Sequence, residues 1–211
     1  MLIVVRHGQS VANLEGRYAG HYNAQLTETG VLQAEKSAEY VADNYKIDAV
    51  YSSDLDRAYY TAKALGDKVG IEVVKMEELR EIFCGEWEGK KVSDVAVEYK
   101  EDYDKWMTDI SNCRPTGGES VKELYERIIN VFEKLARENE GKTAYVATHG
   151  TPIRVVMAET GGMGIVKLSD VPWVSNASLT FIDYKDGKLV LEKAGFDDHL
   201  AEMKTYLPKG V

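Results

Sequence analysis

The sequence is poor in the residues that mark several classes of protein. Of its 211 residues only two are cysteine, Cys84 and Cys113, and they form neither a CxxC pair nor a metal-ligand spacing. A disulfide framework and a zinc ribbon are thereby excluded, and free thiols in a reducing compartment are expected. Histidine is scarce as well, at four residues with no paired ligand spacing, so no metal and no other cofactor is expected. Positive charge is in deficit: Lys and Arg total 26 against 35 Asp and Glu, a formal net charge of −9. General nucleic-acid binders and basic membrane-surface proteins need a cationic footprint that this chain does not have. Long apolar runs are missing too. The amino-terminal one is five residues long, too short for a signal-peptide core and without a basic region before it, so the expectation is a cytoplasmic protein with no membrane partner. Low-complexity stretches, Pro- or Ser-rich linkers and internal repeats are absent, and 1–211 reads as a single domain.

What is present suffices for a substantial core, since 44 % of the residues are hydrophobic. Short apolar runs alternate with stretches of helical spacing. MLIVV reads as a buried strand. Thr27 is placed as the N-cap of a helix in which Val31, Ala34, Ala38 and Val41 recur. IDAVYSS (47–53) is a strand followed by a helix over 54–66 that Gly66 is expected to close. IEVVKM (71–76) leads into the loop LREIFCGEWEG (79–89). Residues 92–110 carry an amphipathic pattern and SNCRPTGG breaks it, which marks a small helical insertion at about 90–118. Ser120 and Glu123 fit a capping box that opens a helix to about Asn139. TAYVAT (143–148) is a strand, TPIRVVMAET restarts a helix, and SLTFIDYKDGKLVLEKAG is a closing hairpin. This alternation predicts an α/β fold with a mostly parallel central sheet and an antiparallel edge.

Two of these strands end alike. The first runs into Arg6-His7-Gly8 and the later one into Thr148-His149-Gly150. If the strands are neighbours, both imidazoles project into the crevice at the carboxyl ends of the sheet, where α/β folds bind ligands. Arg57 follows the second strand and Glu81 the third. Planar guanidinium forks suit a tetrahedral anion, phosphate or sulfate, better than a single carboxylate. Taken singly, each of these residues also reads as ordinary structure: a core histidine, a surface ion pair, a solvated loop acid. Gly161-Gly162-Met163-Gly164 lacks the Lys-Ser/Thr partner of a phosphate loop and reads as a turn.

The set resembles the histidine phosphatase superfamily, the phosphoglycerate-mutase-like group whose signature begins RHG. The resemblance runs through Arg6-His7-Gly8-Gln9-Ser10 with Asn13, Gly20, Leu26-Thr27, Gly30, the stretch YSSDLDRAYYTA around Arg57, LREIFCGEWEG around Glu81, GGES at 117–120, and THG at 148–150. It covers nearly the whole chain in the family's order. It implies a three-layer α/β/α fold and a role for each matching residue. His7 would accept the phosphoryl group as a phosphohistidine. Arg6, Arg57 and His149 would hold its oxygens, and Asn13 would add a neutral donor. Glu81 would protonate the leaving alkoxide and then deprotonate water. Ser10, Gly20, His21 and Gly150 would border the substrate.

His149 is followed by Gly150 and not by aspartate, which resembles the branch whose acid comes from the loop of Glu81. The family's mutases carry a longer insertion with substrate-gripping arginines, whereas residues 90–117 offer only Arg114 with Pro115, and Ala19 and His21 depart from the mutase pattern. The expectation is a metal-independent phosphomonoester hydrolase acting on a small phosphorylated metabolite. A phosphoglycerate mutase using the same phosphohistidine is the alternative, and a phospho-ligand-binding protein without turnover a third reading. The closing hairpin offers an edge strand through which a homodimer could pair.

Overall fold

The five apolar residues at the amino terminus lead a sheet whose two faces they serve equally. The computed structural model describes residues 1–205. In it β1 (Leu2–Arg6) lies between β4 (Ala144–Thr148), which runs parallel to it, and β5 (Leu179–Lys185), which runs antiparallel. With β2 (Ala49–Ser52), β3 (Val73–Lys75) and β6 (Lys188–Phe196) these make a six-stranded sheet in the order β3-β2-β4-β1-β5-β6. Side chains of a strand alternate between faces. Leu2 and Val4 accordingly enter one core with α6 (Val121–Glu138) and α7 (Gly150–Thr160), while Ile3 and Val5 enter a second core with α2 (Glu28–Asn44) and α3 (Asp56–Val69). Both faces are covered, which is why β1 and β4 are buried at every position. The result is the expected three-layer α/β/α arrangement with an antiparallel edge.

Local signals act largely as their chemistry dictates. The Thr27 hydroxyl caps α2 by accepting from the Gly30 N–H, and Ser120 with Glu123 closes a reciprocal capping box on α6. The hairpin between β5 and β6 turns on Asp186 and Gly187, both at positive φ (51° and 76°), as a two-residue turn matching the strand twist requires. One expectation fails. Gly66 does not close α3, which continues to Val69 and ends at Gly70 with φ 71°. Gly66 is needed inside the helix for closeness, since a Cβ there would lie 2.8 Å from the Ile71 carbonyl oxygen. A short helix, α1 (Val11–Glu15), follows the first loop where none was expected.

The amphipathic stretch after the Glu81 loop is a helical pair, α4 (Val92–Glu98) and α5 (Lys100–Thr108). Val95, Trp106 and Cys113 pack with Trp87 and Tyr18 as an outlying part of the first core. Both cysteines are free and buried. Among the described residues no helix is long and apolar enough to cross a membrane.

Candidate active site

Arg6 and Thr148 are register partners at the ends of β1 and β4, so His7 and His149 leave the sheet side by side. Their ring centroids are 5.1 Å apart with planes at 60°. His149 is also the residue before α7, and the Gly150 backbone that follows fits only because it has no side chain: a Cβ would meet the Trp173 ring at 2.9 Å and Arg6 Nε at 3.6 Å. A cavity of about 60 Å³ opens here, lined by Arg6, His7, Asn13, Arg57, Glu81 and Gly150 together with Tyr18, Trp106 and Trp173.

The His7 ring is tightly fixed. His7 Nδ1 lies 2.7 Å from the Gly8 carbonyl oxygen. A carbonyl only accepts, so Nδ1 carries the proton and Nε2 keeps its lone pair. Burial, and then the positive charges of Arg57 and Arg6, hold the His7 pKa well below the ordinary histidine value, and the ring is neutral. The Asn176 side chain donates to the His7 carbonyl (3.0 Å), and Thr61 Oγ1 accepts from the Gly8 N–H (3.0 Å). The loop then passes α2 at the closest approach two backbones allow: a Cβ on Gly8 would sit 2.3 Å from the Gly30 oxygen.

Each of the basic side chains around His7 is held by one part of itself and leaves another part unused. Arg6 Nη1 donates to the Val174 carbonyl at 2.6 Å. Arg57 donates to the Gly20 and Tyr22 carbonyls at 2.7 and 3.0 Å and so pins the 17–25 loop. His149 Nε2 is 2.9 Å from Ser53 Oγ. Arg6 Nε, Arg57 Nε and His149 Nδ1 are buried without a hydrogen-bond partner. Buried nitrogens left without a partner are costly to keep, and these three belong to residues gathered at one sheet edge. Burial lowers the pKa of both guanidinium groups to about 10, with Glu81 opposing the shift. The same burial pushes the His149 pKa well down, helped by Arg57.

Glu81 is half-buried, and its two carboxyl oxygens accept from the Ile82 N–H (2.8 Å) and from the Thr151 N–H in the first turn of α7 (3.2 Å). Asn13 Oδ1 takes donors from Ser10 N, Ser10 Oγ and Asn176 Nδ2, all within 3.1 Å, which directs its amide nitrogen away from that cluster.

The sheet edge therefore gathers His7, His149, Arg6, Arg57, Glu81, Asn13, Gly20 and Gly150. Two expected substrate contacts lie elsewhere. Ser10 is fully buried and spends its hydroxyl on capping α1, and His21 lines a separate depression of about 450 Å³ beside Phe83, donating from Nε2 to the Glu81 carbonyl. The loop brings His21 backbone-first to Glu88, whose Oε1 accepts its N–H at 2.6 Å. Sequence reasoning missed Ser53, Thr61, Asn176 and Trp173. Ser53 had a signal, being the last residue of the apolar run that ends in serines. Asn176 had none, because only the return of β5 beside β1 brings it to His7.

The chain matches the model of the histidine phosphatase superfamily (branch 1) over residues 2–197. Phosphoserine phosphatase 1 of Hydrogenobacter thermophilus is 30% identical over 210 residues, covering 100% of this chain and 99% of that protein. Adenosylcobalamin/alpha-ribazole phosphatase of Escherichia coli K12 is 30% identical over 162 residues, 77% of this chain and 79% of the relative. Among solved structures, Bacillus stearothermophilus YhfR superposes with a TM-score of 0.89 at 26% identity, covering 94% of this chain and 98% of the other.

Proposed function

This chain belongs to the histidine phosphatase superfamily (branch 1) and is a phosphatase, and we propose that it hydrolyses small phosphomonoesters, without metal, through a phosphohistidine on His7. The observation that carries the proposal is the His7 ring, neutral and with its proton held on Nδ1 by the Gly8 carbonyl, beside three buried nitrogens that have no partner.

The Nε2 lone pair attacks phosphorus and the P–O ester bond breaks. Its electrons pass to the leaving oxygen, which takes the proton of the Glu81 carboxyl. Arg6, Arg57 and His149 stabilise the transferring phosphoryl oxygens from positions fixed beforehand. Water then attacks phosphorus and gives its proton to the Glu81 carboxylate. The P–N bond breaks, and its electrons return to Nε2.

Water is favoured as acceptor over a second metabolite by the fate of Arg114. The one arginine of the short insertion is exposed and committed to Glu123 (2.8 Å) and the Gly118 carbonyl (2.9 Å), so it does not line the cavity. The substrate class stays broad. Relatives at the same 30% identity are named for phosphoserine and for alpha-ribazole phosphate chemistry, and a cavity of about 60 Å³ measures the phosphoryl end rather than the leaving group.

The test is phosphate release from a panel of phosphomonoesters with chelator present, alongside a phosphoglycerate mutase assay. Release unaffected by chelator, with label trapped in an acid-labile, base-stable form that His7→Ala abolishes, is the expected result. Mutase turnover faster than release, or substantial activity in a folded His7→Ala protein, would overturn it.

A further inference from the structure

Arg127 lines no part of the catalytic cavity, yet its guanidinium is spent on the loop that carries Glu81. Nη1 donates to the carbonyls of Glu78 (2.8 Å) and Arg80 (3.0 Å), and Nη2 reaches the carbonyl of Glu81 itself (3.4 Å). The other edge of the fork is bidentate to Glu119, at 3.0 Å from Nε and 2.7 Å from Nη2. All five N–H groups of the side chain are thus in use. Glu119 completes the staple by accepting from the Phe83 N–H (3.3 Å) and donating its own N–H to the Phe83 carbonyl (2.8 Å). The pair therefore grips the acid loop on both sides of Glu81, from α6 and the turn before it.

We propose that Arg127, oriented by Glu119, is a positioning residue that sets where the Glu81 carboxyl meets the leaving-group oxygen. This rests on the proposed role of Glu81 as acid. A half-buried ion pair contributes little by itself. A fork that takes three carbonyls of one loop instead fixes a path for the backbone, which a lysine's single ammonium cannot reproduce. Other anchors keep the loop from unfolding when the fork is lost: Arg80 is paired with Asp54, and Thr148 Oγ1 donates to the Leu79 carbonyl at 2.7 Å. The expected defect is displacement of the carboxyl, to which proton transfer is steeply sensitive.

Leaving-group dependence separates this role from a merely structural one. An alkyl phosphate expels a strongly basic alkoxide and needs the proton, whereas p-nitrophenyl phosphate expels a stable anion and does not. In Arg127→Lys, kcat/KM for the best alkyl phosphate of the panel is expected to fall on the order of 30- to 100-fold, and for p-nitrophenyl phosphate by less than about 3-fold. Glu81→Gln is expected to show the same split, and Glu81→Gln combined with Arg127→Lys little further loss. Should Arg127→Lys fail to fold, Glu119→Gln carries the same comparison with a smaller split. Equal losses on both substrates in a folded variant, or none, while Glu81→Gln discriminates, would overturn the positioning role alone. No discrimination in Glu81→Gln would overturn the acid assignment and this inference with it.

Discussion

His7 and His149 lie at the ends of neighbouring strands, and both are buried in their neutral forms because desolvation and the nearby guanidinium groups disfavour a third and fourth positive charge. The linkage to stability follows in sign. Folded-state pKa values below the ordinary histidine value mean that the unfolded chain binds more protons in mildly acidic solution. The two rings therefore cost nothing above that value, and stability is lost as pH falls below it. Each contributes a slope of at most about 1.4 kcal/mol per pH unit. Urea midpoints measured between pH 7.5 and pH 5.5 are expected to drop less in the double variant His7→Asn and His149→Asn than in the native chain, and equal drops would contradict the burial argument. His199 contrasts with them in its surroundings: it is half-buried against Ser37, stacked on Tyr40, and reaches the Ala177 carbonyl behind the Arg6-His7 backbone.

At the scale of elements, what matters is how closely the loop after β1 passes the first turn of α2. The Gly8 carbonyl holds the His7 Nδ1 proton, and the same residue abuts the Gly30 backbone. Gly8→Ala is expected to destabilise the fold by about 1–3 kcal/mol through overpacking and to cut kcat by roughly 100-fold, because any shift that relieves the clash also moves the His7 ring. Denaturant melts and steady-state kinetics check the two effects separately, and a stable variant with native kcat would mean that the loop has room. Another arginine off the catalytic cavity, Arg154, holds the opposite wall. It donates to the Val171 and Leu168 carbonyls at 2.9 and 2.6 Å, and its guanidinium carbon sits 4.3 Å from the Trp173 ring centre, just before the Val174 carbonyl that anchors Arg6.

The molecule as a whole is acidic, with a net charge of −9, while its cavity is cationic. Of the arginines that line it, Arg6 and Arg57 form no ion pair with a carboxylate among the described residues, and burial lowers the pKa of each to about 10. Several carboxylates elsewhere are neutralised by surface pairs, such as Lys63 with Asp67 and Lys36 with Glu39. A phosphate-like dianion should bind the folded state selectively. Inorganic phosphate at about 100 times its Kd is expected to add about 2.7 kcal/mol to stability, and sodium chloride at equal ionic strength much less. Equal effects of the two salts on the melting temperature would argue against an anion pocket.

The sequence by itself determined the layer architecture and the principal chemistry. Short apolar runs and helices of period 3.6 can pack in few ways, and the blocks around His7, Arg57, Glu81 and His149 carry residue types that are informative wherever they meet. Ser120 and Thr27 were legible as caps because capping is settled by neighbours three residues apart. Gly66 lies within α3 because Gly70 takes the left-handed conformation and the Ile71 N–H returns to the Gly66 carbonyl, and Ser10 caps α1 through Asn13; both are settled within five residues. Tertiary structure alone decided the rest. His21 turned from the substrate to a neighbouring depression because its loop folds back onto the Glu88 carboxylate. Asn176, Ser53 and Arg127 are ordinary residues in the sequence. They gain their places at His7, His149 and the Glu81 loop only when strands and helices distant in the chain close over one edge of the sheet. Hydrogen bonds between such segments depend on positions in space, and spacing along the chain does not encode those positions.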